Sequence, residues 1–282
     1  MSHNSKEKKQ MHDVVVRFAG DSGDGIQLTG NQFTATTALV GNDLSTLPDF
    51  PAEIRAPAGT VYGISGFQIH FSSDQVFTPG DSPDVLVVMN PAALQANIAN
   101  LKMNAVIIAN EDMFTDRYLK LAGFESNPLE DKSLDKYQVI PVPVTTLTRR
   151  ALENMDLPKI TMDRCKNFFA LGMMYWMYTR PLEKTENWIR KKFAADALLA
   201  EANIRALRAG YNYANTTEVF TSSFEVPVAE IEKGTYRNIN GNEALCLGLV
   251  AAGEKSGLKV FLAGYPITPA SEVLHMMSRY RN

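Results

Sequence analysis

Short apolar runs that close on glycine or asparagine alternate with stretches of helical period over the first half of the chain. Asp13 to Ala19 (DVVVRFA) is β-branched, is followed by Gly20, and reads as a buried strand. A glycine-rich turn, Gly20 to Gly25, leads into a helix over Ile26 to Val40 that Gly41 and Asn42 stop. Leu47 to Gly59, with Pro48, Pro51 and Pro57, reads as an ordered loop. Thr60 to Ser72 alternates through Ile64, Phe67, Ile69 and Phe71 and predicts one or two strands. Asp84 to Met89, Ala105 to Ala109 and Tyr137 to Val142 are further strands. Asn90-Pro91 opens a helix to about Asn100, and Thr115 to Ala122 forms a short one. The alternation predicts an α/β fold on a mainly parallel sheet with right-handed crossovers.

From Pro143 to Gly210 the pattern turns helical. Met162 to Thr179 is rich in Met and aromatic residues and is most simply core. Trp188 to Arg208 predicts one amphipathic helix, with Phe193, Ala197, Leu198, Ile204 and Leu207 on its apolar face. Tyr211 to Arg237 loses the period. Asn240 and Glu243 then cap a helix running to about Lys255, where Ala244, Gly248 and Ala252 leave a small-residue face suited to close packing. Leu258 to Ala263 (LKVFLA) predicts a strand, Gly264 to Ile267 a turn, and a helix starts at Pro269. The chain thus divides into an α/β domain at 11–210, a linker at 211–237, and a second α/β domain begun at 238–282. One strand does not make a sheet, and the last helix is still gathering apolar residues (Val273, Leu274, Met276, Met277) at Asn282. The second domain is expected to be incomplete, through truncation or because another segment or partner chain supplies the rest.

Composition narrows the function classes. Hydrophobic residues make up 45% of the 282 and charged residues 21%, enough for a sizeable core. A net charge of −3 argues against a nucleic-acid partner, which needs a basic excess. The polar start, Met1 to Gln10, lacks the apolar region of a signal peptide, and no run reaches the roughly 18–20 apolar residues of a membrane span. Two distant cysteines, Cys165 and Cys246, fit a reducing cytoplasm and cannot hold an iron–sulfur cluster alone. His3, His12, His70 and His275 show no metal spacing.

Three segments are candidates for chemistry. The loop Gly20-Asp-Ser22-Gly23-Asp-Gly25 lies between strand and helix, where glycines let backbone approach a phosphate. Its spacing is GxxGxG rather than the dinucleotide GxGxxG, and Asp21 and Asp24 would repel a diphosphate; a tight structural turn competes with a ligand loop. In PAEIRAPAG, residues 51–59, Arg55 can clamp a carboxylate or phosphate, or pair with an acid at an interface. In Gly264-Tyr265-Pro266-Ile-Thr268-Pro269, the chain leaves a strand's carboxyl end and enters a helix, where α/β proteins bind ligands. Thr268 as N-cap, Pro269 at the first helical position and Glu272 on the dipole also make a purely structural cap.

GYPITPASE, residues 264–272, resembles the motif near the start of the pyrimidine-binding domain in the alpha subunits of thiamine-diphosphate-dependent 2-oxoacid:ferredoxin oxidoreductases, and Asn240 to Ala244 resembles the helix that opens that domain. The strand–GDSGDG–helix unit, FPAEIRAPAGT (50–60) and SGFQIHF (65–71) resemble the family's gamma domain, fused ahead of the alpha domain in some members. The EIRAPAG variant is most similar to members acting on 2-oxoglutarate. The resemblance implies oxidative decarboxylation of a 2-oxoacid to its acyl-CoA, with thiamine diphosphate and Mg²⁺ shared with a beta subunit, coenzyme A as co-substrate, and electrons passing through the partner's iron–sulfur cluster to ferredoxin. It implies a dimer of heterodimers. Thr268 becomes a substrate hydrogen-bond donor, with Tyr265 and Pro266 in the same pocket. Gly20, Ser22, Gly23, Gly25 and Arg55 become candidates to line the coenzyme A path. No residue here is assigned as catalytic or as a metal ligand: the glutamate that activates the aminopyrimidine ring is expected beyond Asn282, so the isolated chain is expected to be inactive. Two other readings stay open. One is an NAD(P)-dependent oxidoreductase using the Gly20 loop, with Asp43 as the ribose ligand; the other is a non-enzymatic interaction module.

Overall fold

The chain was analysed as a computed structural model, which describes residues 7–51 and 56–280. Two compact units, Met1–Ile231 and Glu232–Asn282, divide it. In the first, β1 (Glu7–Gln10) precedes β2 (Asp13–Asp21), α1 (Ile26–Leu39), β3 (Asp43–Asp49), β4 (Ile64–Ser72), β5 (Val85–Val88), α2 (Pro91–Asn97), β6 (Val106–Asn110), α3 (Asp116–Leu121) and β7 (Gln138–Val142). Five helices and a strand follow: α4 (Val144–Ala151), α5 (Lys159–Arg164), α6 (Lys166–Met177), α7 (Glu183–Lys192), α8 (Ala197–Thr216) and β8 (Ser222–Glu225).

Six strands form one sheet in the order β3-β4-β2-β5-β6-β7. The β2–β5, β5–β6 and β6–β7 pairs are parallel, and β4 runs against both neighbours. The sheet is therefore mixed but mainly parallel, an α/β architecture. Alternate residues of each strand feed opposite faces. Val14, Val16 and Phe18 of β2 join Phe67, Ile69 and Phe71 of β4 in a core with α1, α6 and α8; Ala19, Leu86, Val88, Ile107 and Ala109 enter a second core with α2 and α3. The Met and aromatic stripe of α6 is core, as expected: Phe168 to Met177 are buried without interruption.

Several elements differ from the sequence reading. Leu47 to Gly59 was expected to be loop throughout, yet β3 extends through Asp49 and contains Pro48. As an edge strand pairing only with β4, β3 tolerates a residue without an N–H. The helix expected over Trp188 to Arg208 is two, because Asp196 caps a new start: its Oδ1 accepts from the Leu199 N–H at 2.9 Å. The second helix then runs on to Thr216, into the segment read as linker, and β8 lies in that segment as well.

The second unit holds α9 (Gly241–Ser256) and α10 (Ser271–Arg279). Asn240 caps α9 as expected, its Oδ1 accepting from the Glu243 N–H at 2.8 Å. The Glu243 carboxylate does not close the capping box; it pairs with Arg237. The strand expected over Leu258 to Ala263 is absent, since no described segment pairs with it, and Leu258 and Phe261 stand 74% and 91% exposed. Gly248 has open space where a Cβ would sit, so the small-residue face of α9 packs on nothing described. Nor does Thr268 cap a helix that begins at Pro269. Residues 268–270 form a turn, and the Ile267 carbonyl accepts from the Ser271 N–H at 2.9 Å, so α10 starts two residues later.

Candidate functional site

The loop after β2 enters α1 on one face of the sheet, and the loop after β5 enters α2 on the other. Since β2 and β5 are adjacent and parallel, a crevice opens beyond their carboxyl ends, the place where open α/β sheets take ligands. The Gly20 loop forms one wall. Ser22–Asp24 make a single 3₁₀ turn, and Gly25 has φ +73°, a conformation natural to glycine and costly for other residues. A Cβ on Gly25 would also sit 2.4 Å from the Asn167 Nδ2, and one on Gly20 2.8 Å from the Asp24 carboxylate. Only Gly23 has open space beside it; it and Ser22 form an exposed tip. The opposite wall carries Asn90, 1% exposed, whose Oδ1 caps α2 by accepting from the Ala93 N–H at 2.8 Å. Asn110, at the end of β6, donates to the Thr145 hydroxyl at 3.1 Å.

The charges of the loop are balanced internally. Asp24 accepts from the Asp21 N–H at 2.9 Å and pairs with Lys166 Nζ at 2.6 Å, at the start of α6. Thus a carboxylate already occupies the loop's donor and a lysine neutralises it, so the turn does not fit a diphosphate. The Asp21 carboxylate in turn accepts from the Gly59 N–H at 3.1 Å through either oxygen, which ties the 56–60 segment to the loop. Burial raises the Asp21 pKa above its ordinary 3.8; the Gly59 N–H opposes the rise, Asp24 adds to it, and Asn90 and Lys166 oppose it. Burial, and then Asp112, also raise Glu111 at the end of β6.

The Asp21 shift has a definite sign. The folded state keeps the proton to higher pH than the unfolded state does, so this group's contribution to stability is fully present below 3.8 and is lost as pH rises through the folded value. Asp21→Asn, which keeps an acceptor for Gly59, is expected to raise Tm at pH 7, with the gain fading as pH falls through the folded value and gone below 3.8. Thermal unfolding across the acid range measures it; a gain that persists at low pH would refute the assignment.

Gly20, Ser22, Gly23 and Gly25 all fall in this crevice loop. Arg55 lies outside the described residues. Asp43, the ribose ligand of the dinucleotide reading, is at the wrong end of the sheet. It pairs with Ser72, which also faces Asp13 at the start of β2, whereas the loop begins at Asp21, roughly 26 Å away at the usual strand rise. Its carboxylate instead accepts from the Val76 N–H at 2.8 Å. Together with the self-neutralised loop, this removes the physical basis for NAD(P) binding there. Lys166 and Asn167 were missed by sequence reasoning; they sit at the start of a helix that reads only as core. In the second unit Tyr265 is 79% exposed, and Pro266 and Thr268 are exposed beside it. Asn242, near the start of α9, donates to the Pro269 carbonyl at 3.3 Å and to Glu272 Oε2 at 3.2 Å, joining the two motifs of that unit.

Comparison with known proteins assigns the chain. A family model described as pyruvate ferredoxin/flavodoxin oxidoreductase matches residues 15–213, well over half of it. The chain belongs to the pyruvate ferredoxin/flavodoxin oxidoreductase family. Among curated relatives, it is 52% identical to the 2-oxoglutarate oxidoreductase subunit KorA of Mycobacterium tuberculosis over 280 residues, which covers 99% of this chain and 43% of KorA. Among solved structures of the family, the 2-oxoglutarate:ferredoxin oxidoreductase of Magnetococcus marinus, with 2-oxoglutarate, coenzyme A and succinyl-CoA bound, superposes with a TM-score of 0.71 at 25% identity. That match covers 96% of this chain and 41% of the other. The chain therefore spans less than half the length of these relatives. Among the described residues, no helix is long and apolar enough to cross a membrane, and no cluster of three or more His, Cys, Asp or Glu side chains is arranged to hold a metal ion.

Proposed function

We propose that this chain is part of a 2-oxoglutarate:ferredoxin oxidoreductase, and that the identity with KorA along its whole length carries that reading. The first unit, which runs through α8 and β8 to Ile231, acts as the gamma-type domain, and 238–282 as the opening of the pyrimidine-binding domain. Thiamine diphosphate, with Mg²⁺, supplies the carbanion chemistry of decarboxylation when bound with the beta subunit. This chain's own part is positional. Thr268 holds the 2-oxoacid by a hydrogen bond, with Tyr265 and Pro266 beside it, and Asn242 fixes the turn that carries them.

In the first unit, the crevice beyond β2 and β5 lines the route of coenzyme A. Its chemistry suits the neutral pantetheine arm better than the diphosphate: the Ser22–Gly23 tip is open, and the loop's lysine is already paired. Arg55 is the candidate for a phosphate, since a guanidinium matches phosphate oxygens through paired N–H groups. The beta subunit supplies the iron–sulfur cluster, ferredoxin takes the electrons, and the assembly is a dimer of heterodimers in the cytoplasm.

The test uses the native complex, isolated through a tag on this chain. Reduction of ferredoxin or a viologen dye is measured with 2-oxoglutarate or pyruvate, with and without coenzyme A. The expected result is reduction that needs coenzyme A, favours 2-oxoglutarate at least tenfold on the order of a full methylene-and-carboxylate discrimination, and falls when Thr268→Val raises the KM. The isolated 282 residues should show none. NAD reduction without a coenzyme A requirement, or a complex lacking iron, would defeat the reading.

A further inference from the structure

The segment between α6 and α7 buries an arginine that pairs with no carboxylate among the described residues. Arg180 is 4% exposed, and its guanidinium lies over the Phe71 ring, 5.0 Å from the centroid. Its backbone N–H donates to the Tyr175 carbonyl at 2.7 Å. The side-chain Nε and Nη2, which together form one edge of the guanidinium, have no acceptor among the described residues. The charged-state neighbours it senses are the phenols of Tyr178 and Tyr175. Burial lowers its pKa to about 10, and the two tyrosines oppose the shift, so it remains a cation at neutral pH.

Elsewhere in the molecule the same edge is filled. Arg149 grips Asp163 through Nε at 2.6 Å and Nη2 at 2.7 Å; Arg208 grips Glu186 through Nε at 2.6 Å and Nη2 at 2.7 Å. Those guanidinium groups reach solvent, where an unfilled edge would simply be hydrated. Arg180 is buried and presents its edge unfilled. A cation removed from water without a counter-charge is heavily penalised, so the fold implies a compensating group.

The other buried orphan side-chain atoms among the described residues are Thr37 Oγ1 and Asn42 Oδ1. Phe33, Phe71 and Tyr178 meet edge to face, with centroids 5.3 to 6.0 Å apart. Thr37 is one helical turn beyond Phe33 on α1. Asn42 stands two residues before Leu44, the β3 partner of Phe71, and its Nδ2 is already committed to the Val226 and Pro227 carbonyls at 3.2 and 2.6 Å.

We propose that the Nε–Nη2 edge of Arg180 binds a small monovalent anion within this core. Parallel N–H groups on one guanidinium edge match either a halide or the two oxygens of a small carboxylate. The surrounding rings are fully buried, which excludes phosphate esters and other large anions. Water alone would satisfy the N–H groups and leave the charge uncompensated.

Thermal unfolding of the full chain tests the site, with chloride or formate replacing gluconate, which is too large to enter, at constant ionic strength. A saturable rise in Tm is expected, the unfolding constant falling about 100-fold once the anion exceeds its Kd 100-fold. Arg180→Met should lose that saturable component and keep any general salt response. The lower midpoint identifies which anion the site prefers. Equal responses in wild type and Arg180→Met, or no saturation in wild type, would overturn the proposal. If the variant does not fold, crystals of the wild type grown in bromide decide. An anomalous peak within hydrogen-bond reach of Nε and Nη2 supports the site, and water or a protein carboxylate in that place refutes it.

Discussion

Gly210→Ala is expected to destabilise the first unit by about 3 kcal/mol or more, the upper range for overpacking a filled core. In α8 a Cβ at Gly210 would lie 1.9 Å from the Phe169 carbonyl oxygen of α6, and the reciprocal Cβ at Gly172 would lie 2.0 Å from the Leu207 oxygen. The obstacles are backbone atoms, so no rotamer change relieves them. The two helices must separate, although α6 is buried almost throughout and α8 lays one whole face in the main core. Intrinsic propensity points the other way, since alanine in a helix is favoured over glycine by about 1 kcal/mol. A net loss therefore isolates the packing. Gly248→Ala is the control: with open space around it in α9, it should be neutral or stabilising. Denaturant unfolding followed by near-UV signals measures both. Trp176 is a suitable reporter, as its indole N–H donates to Asn215 Oδ1 of α8 at 3.0 Å.

Lys166→Met is expected to cost about 2–3 kcal/mol, somewhat below the loss for a fully buried broken ion pair. The Lys166 and Asp24 side chains are 16% and 12% exposed, so little solvent is available to replace the lost ammonium. Asp24 would then hold its charge against Asp21, whose pKa is already raised by burial and by Asp24. Converting both partners, Lys166→Met with Asp24→Asn, should recover most of the loss. A double-mutant cycle gives the coupling directly; additive losses would show that the lysine acts through packing alone.

Legibility from sequence followed the source of each element's stability. β2, β5 and β6 are apolar on both faces because helices cover both, and so they read as unbroken runs. β3 carries DLSTLPD and owes its form to the β4 ladder, so its own residues advertise nothing. At Ala194–Asp196 two good helix formers hide a break that a single aspartate decides. The Gly20 turn was visible from glycine spacing, and so were the two carboxylates, Asp21 and Asp24, that shape it. Their partners Lys166 and Gly59 were not visible, because ion pairs and loop contacts between distant segments leave no local pattern. The expected strand at Leu258 to Ala263 illustrates the converse: its propensity is strong, but a strand also needs a neighbour.

The small two-stranded sheet has a consequence for how such a unit can be carried in a gene. β1 and β8 run parallel, with Glu7 opposite Ser222 and Gln10 opposite Glu225, and Lys8 pairs with Glu225 at 2.7 Å. Strands from near the start and near the end of the first unit therefore lie side by side, about 5 Å apart at strand spacing, and their parallel sense puts Glu7 and Glu225 at opposite ends of the ribbon. The segment between them holds its own core, so it can be carried ahead of another reading frame as one piece without any strand of the six-stranded sheet changing neighbours.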